Sequence, residues 1–182
     1  MSGKDFHMLW IDLETTGSDL ETNRIIEVGA VLTDYNLNIL GSHRAVIGDS
    51  SRVTLITDPI VVEMHTKNGL IENLKSGEGT TEYESEDRII QMMESFGLRK
   101  HDVAIAGSGV QHFDRPFIAR DMPRLNSWLK YFSIDVGVMR RVLQIAGRED
   151  LTLDTKSKNH RAFDDAMLHL SELAHIKETL RR

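Results

Sequence analysis

The run His7-Met8-Leu9-Trp10-Ile11-Asp12-Leu13-Glu14 constrains the fold more than any other segment of this chain. Side chains of a β-strand alternate between two faces, so Leu9, Ile11 and Leu13 share one face while Asp12 and Glu14 share the other. The three aliphatic residues supply an apolar backing, and two carboxylates then project together from a central strand. Like charges side by side repel and are costly to desolvate unless something positive lies between them. A divalent cation meets that need, and hard oxygen ligands favour magnesium or manganese. An isolated pair of this kind also describes a strand end with two solvated acids, so the choice rests on residues further along.

Extended segments at about 7–15, 24–34 and 38–47 are joined by short turn-like links, Gly17-Ser18-Asp19 and Asp34-Tyr35-Asn36, which predicts an antiparallel meander. Apolar residues at helical spacing predict helices over 59–76, through Ile60, Met64, Leu70, Ile71 and Leu74, and over 83–97, through Ile89, Ile90, Met93 and Phe96. Val103–Gly107 reads as a buried strand and Asp114–Arg120 as a helix, with Pro116 tolerated in its first turn. Ser133–Val136 reads as a short strand, 137–146 as a helix ending at Gly147, and 148–159 as a polar loop. From Arg161 onward a long helix carries Phe163, Met167, Leu170 and Ala174 on one stripe. Strands first and then alternating helices and strands predict an α/β fold with helices packed on a mixed sheet.

With 182 residues the chain can bury one sizeable core, and a single domain spanning 1–182 is expected. No apolar run approaches the roughly 20 residues needed to cross a bilayer, and no secretory signal opens the chain. The absence of cysteine excludes disulfides and thiol catalysis and suits a reducing, cytoplasmic location. A formal charge of −6 argues against a broad basic surface that grips long nucleic acid. Several of the acids are candidate metal ligands, however, so a nucleic-acid substrate held locally and through metal stays open.

Two further groups bear on that question. Gly107-Ser108-Gly109-Val110-Gln111-His112-Phe113-Asp114 places an acid at the start of a helix just beyond a strand, where it could equally be an N-cap. His160-Arg161-Ala162-Phe163-Asp164-Asp165 places a histidine at the mouth of the last helix and an acid five residues on, where the helix dipole favours acids in any case. Each piece is weak alone. Asp-x-Glu on a first strand, Phe-Asp opening a middle helix and His-x-Ala-x-x-Asp on a last helix together resemble the three motifs of the DEDDh exonuclease superfamily, whose fold is ribonuclease-H-like.

On that resemblance Asp12, Glu14, Asp114 and Asp165 match the four metal-binding acids, and His160 matches the general base. The likeness is greatest to oligoribonuclease. It extends through Trp10–Glu14, Arg24-Ile25-Ile26-Glu27, Thr33-Asp34, Asn36–Leu40, His65-Thr66 with Gly69-Leu70, Met122-Pro123 with Leu125, and Asp135-Val136. It implies two divalent cations, Mg²⁺ or Mn²⁺, about 3.5–4 Å apart; single-stranded RNA or DNA oligonucleotides as substrates; and a homodimer. It also implies substrate contacts from Leu13, Thr15, Gly17, His65, His112 and Tyr131. For His65 a structural role on its helix competes with substrate contact, and for Tyr131 packing at a dimer contact competes with capping a nucleotide. Asp164 points about 100° away from Asp165 on a helix and reads as a solvated residue or as a group supporting the metal ligands from behind, the former favoured. Trp10 and Trp128 read as core or interface residues, and Arg181-Arg182 as a solvated helix end.

Several positions depart from the family pattern. Its wedge leucine after Thr-Gly is Ser18, its tryptophan before His-Thr gives way to Ile60-Val61-Val62, and its phosphate-capping His-Tyr-Arg with a nearby serine reads Lys130-Tyr131-Phe132 and Gly137. Phe113-Asp114 is more similar to the proofreading exonucleases. These departures predict weaker restriction to dinucleotides. A proofreading or repair-type DNA exonuclease would use the same five residues. A non-catalytic nucleic-acid-binding module would be expected to have lost one of them, and a nucleotide phosphatase would release phosphate without shortening a chain.

Overall fold

The computed structural model describes residues 6–153 and 159–180. Three strands come first: β1 (His7–Thr15), β2 (Ile25–Thr33) and β3 (Ile39–Val46). Four helices follow, α1 (Ser50–Val53), α2 (Pro59–Lys67), α3 (Leu70–Ser76) and α4 (Glu82–Ser95), and then strand β4 (Val103–Gly107). Helices α5 (Asp114–Asp121) and α6 (Pro123–Trp128) lead into strand β5 (Leu129–Asp135), helix α7 (Val136–Ile145) and helix α8 (Ala162–Thr179). The sheet order is β3-β2-β1-β4-β5, antiparallel through β1, β2 and β3 and parallel from β1 to β4 and from β4 to β5. This is the expected meander plus parallel strands, with helices on both faces.

Strand β1 is the centre of the molecule, and its alternation sorts the two cores. Leu9, Ile11 and Leu13 pack with Ile89 and Met93 of α4 and Phe117 of α5. Met8 and Trp10, on the carboxylate face, pack with Ala166 and Leu170 of α8 and Val136 of α7. Trp10 is fully buried and donates its indole N–H to Thr33 Oγ1 at 3.1 Å, while Trp128 lies in the α4 core. Helix α4 starts at a capping box in which Thr81 and Glu84 satisfy each other's backbone N–H groups.

The structure differs from the sequence expectation in several places. The single helix over 59–76 is two, because Gly69 takes a left-handed φ of 79° and Asn68 Oδ1 accepts the Leu70 N–H at 3.0 Å, starting a new helix. Ile60, counted there as apolar-face spacing, is exposed, and His65 is the buried residue of α2. Helix α6 and most of β5 stand where no regular element was expected, α6 having Pro123 in its first turn. On α8 the buried face runs through Ala162, Ala166, Leu170 and Ile176, with Ala174 exposed, so the stripe is turned by about one residue. Within 148–159 a 3₁₀ turn, Glu149–Leu151, buries Leu151; positions 154–158 and the Arg181-Arg182 end lie outside the described residues. Among the described residues no helix is long and apolar enough to cross a membrane.

Candidate active site

Strand β1 delivers Asp12 and Glu14 to the face covered by α8, Asp12 half-buried and Glu14 buried. Asp114 is the first residue of α5 and only 4% exposed. Phe113 occupies the cap position, so Asp114 is not an N-cap. Its Oδ1 instead accepts the Leu13 N–H at 2.9 Å, which ties the second motif directly to the first across 101 residues of chain. Asp165 lies in the first turn of α8, buried, and Glu14, His160 and Asp165 bring ligand atoms within 4.8 Å of one another. Asp164 is exposed and accepts Asn159 Nδ2 at 2.6 Å, pointing away from that cluster.

The carboxylate oxygens brought together here are hard donors of the kind that hold a divalent cation. Glu14 stands directly opposite Glu27 in the β1–β2 register, a like-charge pair on one face. Arg161 offsets it, with Nη2 at 2.6 Å and Nε at 2.9 Å from Glu27 Oε1.

The other expected contacts separate into three places. Leu13, Thr15 and Gly17 line a groove beside Glu14, together with Ser18, Met64 and Phe113. His65 is fully buried under this groove, its Nε2 donating to the Thr15 carbonyl at 3.3 Å and lying 3.8 Å from Glu14 Oε2. Burial pushes its pKa below the usual histidine range, so the neutral ring is favoured. His65 thus touches Glu14 and Thr15 rather than open space. His112 is exposed in the turn before Phe113 and is not among the residues lining the groove. Tyr131, 89% exposed, stands on the sheet edge at β5 and lines a different cavity with His101, Arg115 and Lys130. Arg115, next to Asp114, donates to the carbonyls of Lys130 at 2.8 Å and Tyr131 at 3.2 Å. At Gly137, where the family pattern has serine, an added Cβ would lie 2.7 Å from Ser108 Oγ.

Two residues at the site escaped the sequence reading. His169, fully buried one turn beyond Asp165, has Nδ1 4.0 Å from Asp12 Oδ1, and its spacing of four from Asp165 was the available signal. Glu27 was visible only as part of the Arg24–Glu27 likeness; its role depends on a strand register no local pattern prints.

The RNase_T exonuclease family model matches residues 9–173 of this chain. The chain belongs to that family. This exonuclease is 33% identical to the oligoribonuclease of Photorhabdus laumondii over 179 residues, covering 98% of this chain and 97% of the relative. It is 32% identical to the oligoribonuclease of Vibrio vulnificus over 181 residues, covering 99% and 98%, and 31% identical to that of Escherichia coli K12, covering 98% and 97%. Among solved structures it resembles E. coli exonuclease I in complex with a dA16 oligonucleotide, with a TM-score of 0.69 at 17% identity. That match covers 96% of this exonuclease and 41% of the other chain, so the chain spans about two fifths of the length of that structural relative and shares its fold. The exonuclease family is divalent-metal dependent, and a carboxylate and histidine cluster of Glu14, His160 and Asp165 is present here.

Proposed function

We infer that this chain is a 3′-to-5′ exonuclease of short single-stranded oligonucleotides, oligoribonuclease-like, acting as one domain in a reducing cytoplasm. The observation that carries the reading is the convergence of Glu14, His160 and Asp165 beside an Asp114 that is bonded to the backbone of the same strand. Asp12, Glu14, Asp114 and Asp165 would hold two divalent cations, Mg²⁺ or Mn²⁺, which when bound supply a Lewis acid on each side of an in-line phosphodiester displacement. Leu13, Thr15 and Gly17 border the groove that takes the 3′-terminal nucleotide. His160, exposed at the mouth of α8, accepts the proton of the attacking water. The phosphorus–O3′ bond breaks, the shortened chain leaves with its 3′-oxygen, and the released mononucleotide keeps its 5′-phosphate. Buried His65 and His169 act through Glu14, Thr15 and Asp12 rather than on the substrate.

Ser18 and Val61 border the groove where the family pattern has leucine and tryptophan, which favours strands longer than two nucleotides. The enzyme works as a homodimer, and Tyr131, with Lys130 beside it, meets the 5′ side of the substrate bound to the partner protomer. Comparable rates on a 5′-phosphorylated RNA dinucleotide and an RNA heptamer in Mn²⁺ are expected. A rate on the dinucleotide far above that on the heptamer contradicts the length reading, and failure to release 5′-mononucleotides from either contradicts the activity. Phe113 at the groove favours a second reading, a single-stranded DNA exonuclease of the proofreading or repair type, and a strong preference for the deoxyribose heptamer would select it.

A further inference from the structure

His160 holds its backbone at φ 53°, in the left-handed region that a residue with a Cβ keeps only when its surroundings over-determine it. The surroundings here converge from three elements. From the end of α2, Asn68 Nδ2 donates to the His160 carbonyl. From β2, Glu27 accepts the Arg161 guanidinium at 2.6 and 2.9 Å through Oε1 and the Ala162 N–H at 2.9 Å through Oε2. Arg161 Nη1 returns to the Asn68 carbonyl at 3.2 Å, which closes a ring of bonds around the residue after His160. Gly29, on the same strand, lets the start of α8 come close; a Cβ there would lie 2.2 Å from the Phe163 nitrogen.

At the start of helix α8 the Arg161 side chain, in the cap position, makes no capping bond. Glu27, 135 residues away, does that work from the sheet: its carboxylate takes an N-terminal N–H and places negative charge at the positive end of the helix. The bidentate guanidinium contact fixes direction as well as distance. Glu27 also faces Glu14 across the strand pair, so the same contact sets α8 in register with a residue of the carboxylate cluster.

We propose that Glu27, Arg161 and Asn68 are positioning residues that hold the His160 imidazole over the Glu14–Asp165 pair. Glu27 is engaged as an anchor for Arg161 and is not a metal ligand. The proposal rests on His160 being the general base.

The test compares Glu27→Gln, Arg161→Lys and Asn68→Ser with wild type and His160→Ala. The measurements are kcat and KM on an RNA heptamer in Mn²⁺, Mn²⁺ binding by calorimetry on the protein alone, and the thermal midpoint. Asn68→Ser leaves the Glu27–Arg161 pair intact and keeps an acceptor for the Leu70 N–H, so it remains informative if breaking the buried pair unfolds the protein. Each positioning variant is expected to lose about 10–100-fold in kcat, the usual cost of removing a group that orients a site residue. KM and Mn²⁺ affinity should stay within about threefold, and Glu27→Gln with Arg161→Lys together should cost no more than the worse of the two alone. Folded Arg161→Lys and Asn68→Ser enzymes with kcat within about threefold of wild type overturn the proposal. So does a Glu27→Gln protein that loses Mn²⁺ binding as deeply as kcat, since Glu27 would then be a ligand. A His160→Ala enzyme as fast as wild type removes the base on which the proposal rests, and is distinguishable because it fails before any positioning variant is considered.

Discussion

The α8 face of strand β1 and the outer edge at β5 belong to one sheet and handle side chains in opposite ways. On the first, two buried acids are tied down by distant parts of the chain: Asp114 by the Leu13 N–H, Glu27 by Arg161. On the second, polar groups are turned inward and apolar ones outward. Arg140 meets the fully buried Glu172 of α8 at 2.8 Å, while Val138, Val142 and Ile145 stand exposed along α7 and Tyr131 stands exposed on β5. The carboxylate site is therefore assembled by contacts within the chain, whereas the β5–α7 edge leaves apolar side chains exposed. Edge strands left open are liabilities for uncontrolled pairing, and the proposed homodimer would cover this one.

The largest expected effect lies on the first region. Asp12→Ala should bring turnover below detection by product chromatography while the circular dichroism spectrum is retained, because the loss is of metal binding and not of packing. His160→Ala should lower kcat by roughly 10²–10⁴-fold, the usual contribution of a general base, with a thermal midpoint near that of wild type. Retention of activity within about threefold would show that another group takes the proton. On the second region, Val142→Glu should yield a monomer in sedimentation velocity, with folding stability changed by no more than about 0.5 kcal/mol. Its rate on short substrates should fall about tenfold if Tyr131 acts across the interface; a Val142→Glu protein that stays dimeric moves the interface elsewhere.

The smallest effect serves as a control remote from both regions. Bonds from Thr80 and from the Thr81 hydroxyl and N–H hold the Glu84 carboxylate well down, to about 2. A carboxylate with a depressed folded pKa adds stability above its unfolded value of about 4.5 and loses it as pH falls toward about 2. Glu84→Gln should flatten the acid limb of the stability curve in urea titrations between those pH values and leave kcat at neutral pH unchanged. An unaltered acid limb would mean the capping box persists without its charge.

Much of the first region was legible in the sequence because its signals are local. Alternation in His7–Glu14 gives both the strand and the shared face of Asp12 and Glu14. Elements fixed by tertiary contacts were harder. The apolar spacing across 59–76 carries over Gly69 without a break, although a left-handed residue ends one helix and Asn68 begins the next. Strand β5 was placed too short because Lys130 and Tyr131 show no apolar run; they lie in the irregularity between the Leu129–Val103 and Ser133–Ile105 pairs that join β5 to buried β4. The α8 face was turned by a residue because Gly29 admits the helix backbone and Glu27 sets its angle, both through contacts more than 130 residues away in the chain. His65 was read as a possible substrate contact because burial under Thr15 is a tertiary fact.

The most direct measurement is digestion of a 5′-labelled single-stranded RNA heptamer with Mn²⁺, resolved nucleotide by nucleotide. The account predicts a descending ladder in which each labelled product is one nucleotide shorter and the dinucleotide is itself consumed. Label released first as a mononucleotide, or internal fragments without a ladder, would contradict attack from the 3′ end by this site.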